Sequence, residues 1–267
     1  MRTFITAILA AFVVATAGTA AASGGPDIRF EKPTLDSSDK ASLQRGARTF
    51  VNYCLNCHSA RYMRYSRLVD IGLTPEMIRE NLMFTTDKIG DTMTITMSTM
   101  DGKAWFGAPP PDLSVEARVR GTEWLYNYFL GFYQDDASAT GWNNLVFPNV
   151  GMPHALWKQG GINKLVKTEF PDEKAASAAI ASAKGIAVLG TTKDHKYTVE
   201  TLAVAQPGTM SAEEYKRTVT DLVNYLDWVA EPAKALRMKI GVVVLIVLSI
   251  LFVLVLLLKR EYWKDVH

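Results

Sequence analysis

Cysteine is scarce in this chain: two residues out of 267, beside four histidines. Two thiols exclude a disulfide-stapled scaffold and a four-thiolate zinc site. A charge excess of one sign is also missing, since 29 Lys and Arg face 27 Asp and Glu. No low-complexity tract occurs, and 48% of the residues are hydrophobic, which excludes a disordered chain and leaves one domain, or one with a large insertion. What is abundant is unevenly placed. Two uncharged runs, Phe4–Ala22 and Ile240–Leu258, hold much of the apolar content, and neither suits a soluble core.

The first run follows Met1-Arg2-Thr3, with its single positive charge, and closes on Ala20-Ala21-Ala22, the small residues a signal peptidase requires. Residues 1–22 read as a secretory signal peptide, and the mature chain starts near Ser23. The second run is interrupted only by Gly241 and Ser249 and, at 1.5 Å per residue, spans roughly 28 Å, the hydrocarbon thickness of a bilayer. Residues 239–259 therefore read as a transmembrane helix. Its flanking charges are balanced, so the export signal sets the orientation: residues 23–238 outside, 260–267 in the cytoplasm. The exported body carries 24 basic and 25 acidic residues, so the basic sequence pI of about 8.4 belongs to the ends. A nucleic-acid partner loses its electrostatic basis.

Both cysteines lie in Cys54-Leu55-Asn56-Cys57-His58, the C-x-x-C-H arrangement of c-type haem attachment. Each thiol adds to a haem vinyl group and the adjacent imidazole ligates iron. Helical spacing puts Cys54 and His58 one turn apart, with Cys57 on the same side. A redox dithiol would open a helix within a βαβ pattern that is absent here, and a lone pair two residues apart is no structural disulfide.

The second axial position has several candidates. Met152 lies in Phe147-Pro148-Asn149-Val150-Gly151-Met152-Pro153, a Pro/Gly-bounded loop free to present one side chain. His154 is the alternative two residues on, and Met97 and Met100 lie in a Thr/Met stretch that reads as surface loop or strand.

Elsewhere, Asp39–Cys54 predicts an amphipathic helix with Leu43, Gly46, Ala47, Phe50 and Cys54 on one face, Gly46 admitting a crossing partner. Ser211–Val229 supplies one, with a Ser211/Glu214 capping box and a stripe of Tyr215, Val219, Leu222, Leu226 and Val229. Glu231-Pro232 then breaks the chain before the span. Pro109-Pro110-Pro111 predicts an extended segment, followed by a helix capped at Asp112 or Ser114 and running to about Tyr133. Between Ala155 and Pro207 an Ala-rich helix near Asp172–Lys184 and two short strands, Ile186–Leu189 and Tyr197–Val204, read as an insertion of about 155–207.

These segments together resemble a known family. Leu43-Gln44-Arg45-Gly46-Ala47, Tyr53 through Tyr65 around the cysteine motif, Ala108 through Ser114, Gly151-Met152-Pro153, and Trp228 through Pro232 before a single C-terminal span are similar, in order, to cytochrome c1 of proteobacterial cytochrome bc1 complexes. The resemblance covers the whole mature chain. It implies a mainly α, c-type cytochrome fold with insertions, including a short β-hairpin, and one transmembrane helix. It implies one covalent haem c on Cys54 and Cys57, His58 and Met152 as axial ligands, Pro110 and Pro111 at the haem edge, and Arg120, with Arg118 its near alternative, on a propionate. The implied role is the electron-transfer subunit of ubiquinol–cytochrome c reductase in the bacterial inner membrane, with no bond-making catalytic residues. The implied partners are cytochrome b, the Rieske iron–sulfur protein and an acceptor cytochrome c, within a dimeric complex. The chain departs from those members that carry an extra cysteine pair, so its axial-methionine loop depends on packing.

Overall fold

The computed structural model describes residues 28–191 and 196–265. The expected signal peptide lies outside the described residues.

A short strand β1 (Ile28–Arg29) precedes helix α1 (Lys40–Thr49), whose first turn is capped by the Asp39 carboxylate accepting from the Ser42 N–H. The chain continues into a π-turn over Phe50–Cys54, so the expected helical stretch does reach Cys54 but widens over its last five residues. Strand β2 (Ala60–Arg64), a 3-10 stretch (Tyr65–Ile71), helix α2 (Pro75–Asn81) and strand β3 (Thr92–Met93) follow. Next come helices α3 (Thr99–Phe106), α4 (Glu116–Arg120) and α5 (Thr122–Leu130), the hairpin β4 (Phe132–Gln134) with β5 (Trp142–Asn144), and the single turn α6 (Trp157–Gly160). The inserted lobe holds β6 (Ile162–Phe170), α7 (Glu173–Ser182), β7 (Ala187–Thr191) and β8 (Tyr197–Gln206). Helices α8 (Ala212–Ala230) and α9 (Lys234–Tyr262) end the chain.

The core is the crossing of α1 and α8. All five residues expected on the α1 face are buried, as is the whole predicted stripe of α8. Gly46 sits at the crossing, where a methyl group would overlap the Asp221 carbonyl and the Tyr225 side chain. Arg45 grips the buried Asp221 carboxylate through two bonds of 2.6 and 2.9 Å, and Asn224 donates to the Asp36 carbonyl and the Ser42 hydroxyl. The Ser211/Glu214 capping box is present.

Three expectations change. The helix expected to run to Tyr133 is two helices and a strand, because Gly121, at φ +88°, breaks it between α4 and α5 and the chain turns extended after Gly131. The stretch with Met100 is helical, since the Ser98 hydroxyl accepts from the Asp101 N–H and caps α3. The lobe has three strands, which join β1 in an antiparallel sheet of order β1-β7-β8-β6. The expected hairpin is β7–β8, but the longest pairing is β6 with β8, and β6 was not expected. The helix that holds the expected span 239–259 extends past it at both ends: Leu236–Tyr262 is long and apolar enough to cross a membrane, with no part of its most apolar stretch buried against the body. The expected break holds, α8 stopping at Ala230 and α9 starting at Lys234.

One face of the lobe's sheet packs on α7 and the other on Tyr133, Leu145 and Val146 of the body. The lobe leaves the body at Gly161 and returns at Gly208. There the Thr209 and Met210 N–H groups donate to the Lys158 and Gln159 carbonyls at 2.8 and 3.2 Å. A methyl group on Gly208 would overlap the Gln159 carbonyl, and one on Gly161 the Gln206 carbonyl.

Candidate functional site

Two backbone bonds turn the chain at the cysteine motif: the Cys54 carbonyl at the end of the π-turn accepts from the Cys57 and His58 N–H groups at 3.0 and 2.8 Å. This brings Cys54, Cys57 and His58 onto one wall of a cavity of about 550 Å³, a size typical of cofactor sites. Burial pushes the Cys54 thiol up to about 12, with the neighbouring Cys57 a lesser contribution, and burial raises Cys57 too. A redox dithiol has the opposite shift, a lowered pKa that exposes a thiolate.

The His58 ring is buried, and its Nδ1 donates to the Pro111 carbonyl at 2.7 Å. That bond fixes the ring and leaves the Nε2 lone pair free as a metal ligand. Burial lowers the His58 pKa, partly offset by the Pro111 bond, which keeps the ring neutral as ligation needs. Pro109, Pro110 and Pro111 all line the cavity. Pro111 thus acts through its carbonyl, a role that its ring does not announce.

Met152 stands in the cavity wall, in the irregular segment after β5. Two buried asparagines of β5 hold this segment. Asn144 Oδ1 accepts from the Val146 and Phe147 N–H groups at 2.8 and 3.2 Å, and Asn143 Oδ1 accepts from Asn149 at 2.8 Å. Asn149 takes a left-handed conformation, φ +61°, which asparagine tolerates. His154 is not in the cavity wall. It is buried, stacked on Phe132 at 4.8 Å and flanked edge-on by Trp142 and Tyr215. Met97 and Met100 also lie away from the cavity, Met100 largely exposed.

Arg120 lines the cavity and Arg118 does not. The Arg120 guanidinium pairs with Glu116 at 3.1 Å and lies 4.9 Å over the Trp124 ring. Trp124 stacks on Tyr128 at 5.0 Å and 13°, and the Tyr128 hydroxyl donates to Met152 Sδ at 3.4 Å. Trp124 and Tyr128 also line the cavity and are not among the residues expected from the sequence, although the four-residue step between them puts both on one face of α5.

Two thiols, a neutral imidazole and a thioether around one largely apolar cavity form a donor set that fits a c-type haem. The sequence profile of the Cytochrome C1 family matches residues 29–179 and 206–266. The chain belongs to the cytochrome c1 family. It is 40% identical over 261 residues to the cytochrome c1 of Allochromatium vinosum, covering 97% of this chain and 98% of that one. It is 41% identical over 252 residues, 92% of each chain, to a Nitrosomonas europaea protein described as ammonia monooxygenase gamma subunit. The cytochrome c1 of Rhodospirillum rubrum is 26% identical over 283 residues, covering 97% of this chain and 96% of that one. As a cytochrome c1, the chain is a haem-binding, electron-transfer component of the bc1 complex with cytochrome b, and its apolar C-terminal helix fits the membrane anchor. The profile match is interrupted over residues 180–205, within the lobe.

Proposed function

We propose that this cytochrome c1 carries one covalently attached haem, with Cys54 and Cys57 forming the thioether bonds and His58 and Met152 the axial ligands. The chain passes single electrons from the Rieske iron–sulfur protein to a soluble or tethered cytochrome c, within a dimeric quinol–cytochrome c oxidoreductase. The observation that carries this reading is the convergence of Cys54, Cys57, His58 and Met152 on one cavity. The haem, when bound, supplies a reversible one-electron change at iron. The chain's residues set the terms of that change. Pro111 orients the His58 ring, the apolar walls would exclude water, and Arg120 would pair with a haem propionate. Ligation by His and Met raises the potential relative to two histidines. Residues 23–238 lie on the periplasmic side of the bacterial inner membrane and the tail 260–267 in the cytoplasm, a reading supported by the expected export signal and the single apolar helix.

The test is optical. A thioether–iron bond gives the oxidised protein a weak near-infrared band, which Met152→Leu is expected to remove while the haem stays covalently bound. Retention of the band in that variant would defeat the assignment of Met152. Purification in mild detergent, with mass spectrometry of the co-eluting subunits, tests the assembly: a b-type cytochrome and an iron–sulfur protein are expected.

A further inference from the structure

We propose that Tyr128 sets the haem potential through the hydrogen bond from its hydroxyl to the Met152 sulfur. This inference rests on the axial role of Met152 proposed above.

A thioether sulfur has two lone pairs and is a weak acceptor, so it can hold iron with one pair and receive an O–H with the other. The bond draws electron density away from sulfur and makes it a poorer donor. A poorer donor stabilises the oxidised, more positively charged iron less, so the bond favours the reduced form and raises the potential. The 3.4 Å separation suits a sulfur acceptor, and the Tyr128 hydroxyl has no other partner among the described residues.

The geometry is held from both ends. On the tyrosine side, the ring is stacked on Trp124 and edge-on to Phe132 at 5.1 Å and Phe129 at 5.7 Å, so it cannot swing. On the methionine side, Asn144 binds the loop through Oδ1 and donates through Nδ2 to the Tyr128 carbonyl at 2.7 Å. One side chain therefore fixes the backbone of Tyr128 and the start of the segment leading to Met152 relative to each other. The hydroxyl and the sulfur lie 24 residues apart in sequence, but a single clamp sets their approach.

The experiment is a spectroelectrochemical titration of the detergent-solubilised complex carrying Tyr128→Phe, which removes one oxygen and keeps the ring. One ordinary hydrogen bond's difference between the two iron states shifts their equilibrium about tenfold toward the oxidised form, which for one electron is about 59 mV downward. The near-infrared band is expected to persist, shifted in position. An unchanged potential with the band present overturns the proposal, and so does loss of the band, because Tyr128 would then be holding the ligand rather than tuning it. Tyr128→Leu, which also lacks the hydroxyl, is expected to lower the potential in the same direction; a potential at the wild-type value overturns the proposal. In the unmodified complex, replacing H2O by D2O is expected to shift the iron–sulfur vibration in the Raman spectrum, and identical spectra count against the bond. The failure of Met152 as a ligand reads differently: the band is then missing from the wild type or survives Met152→Leu.

Discussion

His154 and Met152 are separated by one proline, and the fold sends them to different chemistry. Met152 faces the cavity, whereas His154 is enclosed by Phe132, Trp142 and Tyr215. Burial alone lowers the His154 pKa to about 4, from the usual 6.5. The unfolded chain therefore takes up this proton before the folded one does. The contribution to stability is complete above pH 6.5 and is lost as the pH falls through 4, a change on the order of 3 kcal/mol. In His154→Phe, denaturant unfolding measured across this window is expected to lose that part of its pH slope; equal slopes in the two proteins would refute the assignment. At this scale, the sequence discloses residues whose chemistry is covalent or whose spacing is fixed. That Cys54, Cys57 and His58 share a cavity wall is legible because their five-residue pattern is the one haem attachment uses, and Met152 stands out because Pro and Gly bound its loop. Nothing local marks Asn143, Asn144 or the Pro111 carbonyl, whose partners are distant backbone groups or an atom every residue has. Tyr128 is half legible: its phase with Trp124 on α5 can be read, its sulfur partner cannot.

Among the elements, the α1–α8 crossing was visible in advance, since an apolar stripe with a glycine at its centre demands a close neighbour. Gly46→Ala is expected to cost about 1–3 kcal/mol, as overpacked cores do, because the added methyl meets the Asp221 backbone and the Tyr225 Cβ rather than a flexible side-chain end. Thermal or chemical unfolding of the haem-loaded protein measures it, and an unchanged midpoint would mean that the helices separate without penalty. The break at Gly121 was hidden because the apolar residues on either side sustain one continuous helical pattern, and pattern does not report a backbone that has turned to positive φ. The cap on α3 had a signal, Ser98 three residues before Asp101, masked by the Thr-rich surroundings that favour an extended reading. Strand β6 was missed for a different reason. It alternates poorly, Lys164, Lys167 and Glu169 interrupting its apolar residues, and it gains its identity only by lying along β8 from Ile162 to Phe170.

For the whole molecule, near-neutral charge hides local charge. The pairs Asp135-Asp136, Asp172-Glu173 and Glu213-Glu214 sit on a body whose net charge is close to zero, so any steering of a basic cytochrome c is local and short in range. Second-order rates of electron transfer to cytochrome c are expected to fall as ionic strength rises; rates indifferent to salt would remove these pairs from the docking account. Two ion pairs link the start of the anchor helix to the body. Lys234 pairs with Asp227 at 2.9 Å and Arg237 with Glu231 at 2.5 Å, so the start of α9 is pinned across the Pro232 break to the end of α8, which itself forms the core.

The root of the lobe has a consequence for how this chain can change. Because the backbone departs at Gly161 and rejoins at Gly208 through touching glycines, the ends of the excursion stay together whatever lies between them. Lengthening or shortening the lobe adds only a slowly growing closure entropy and does not slide α8 along α1. The interruption of the family profile at 180–205 falls inside that closed excursion. The lobe is thus the place where members of one lineage can differ in size, and where a foreign sequence could be spliced, while the haem cavity keeps its shape.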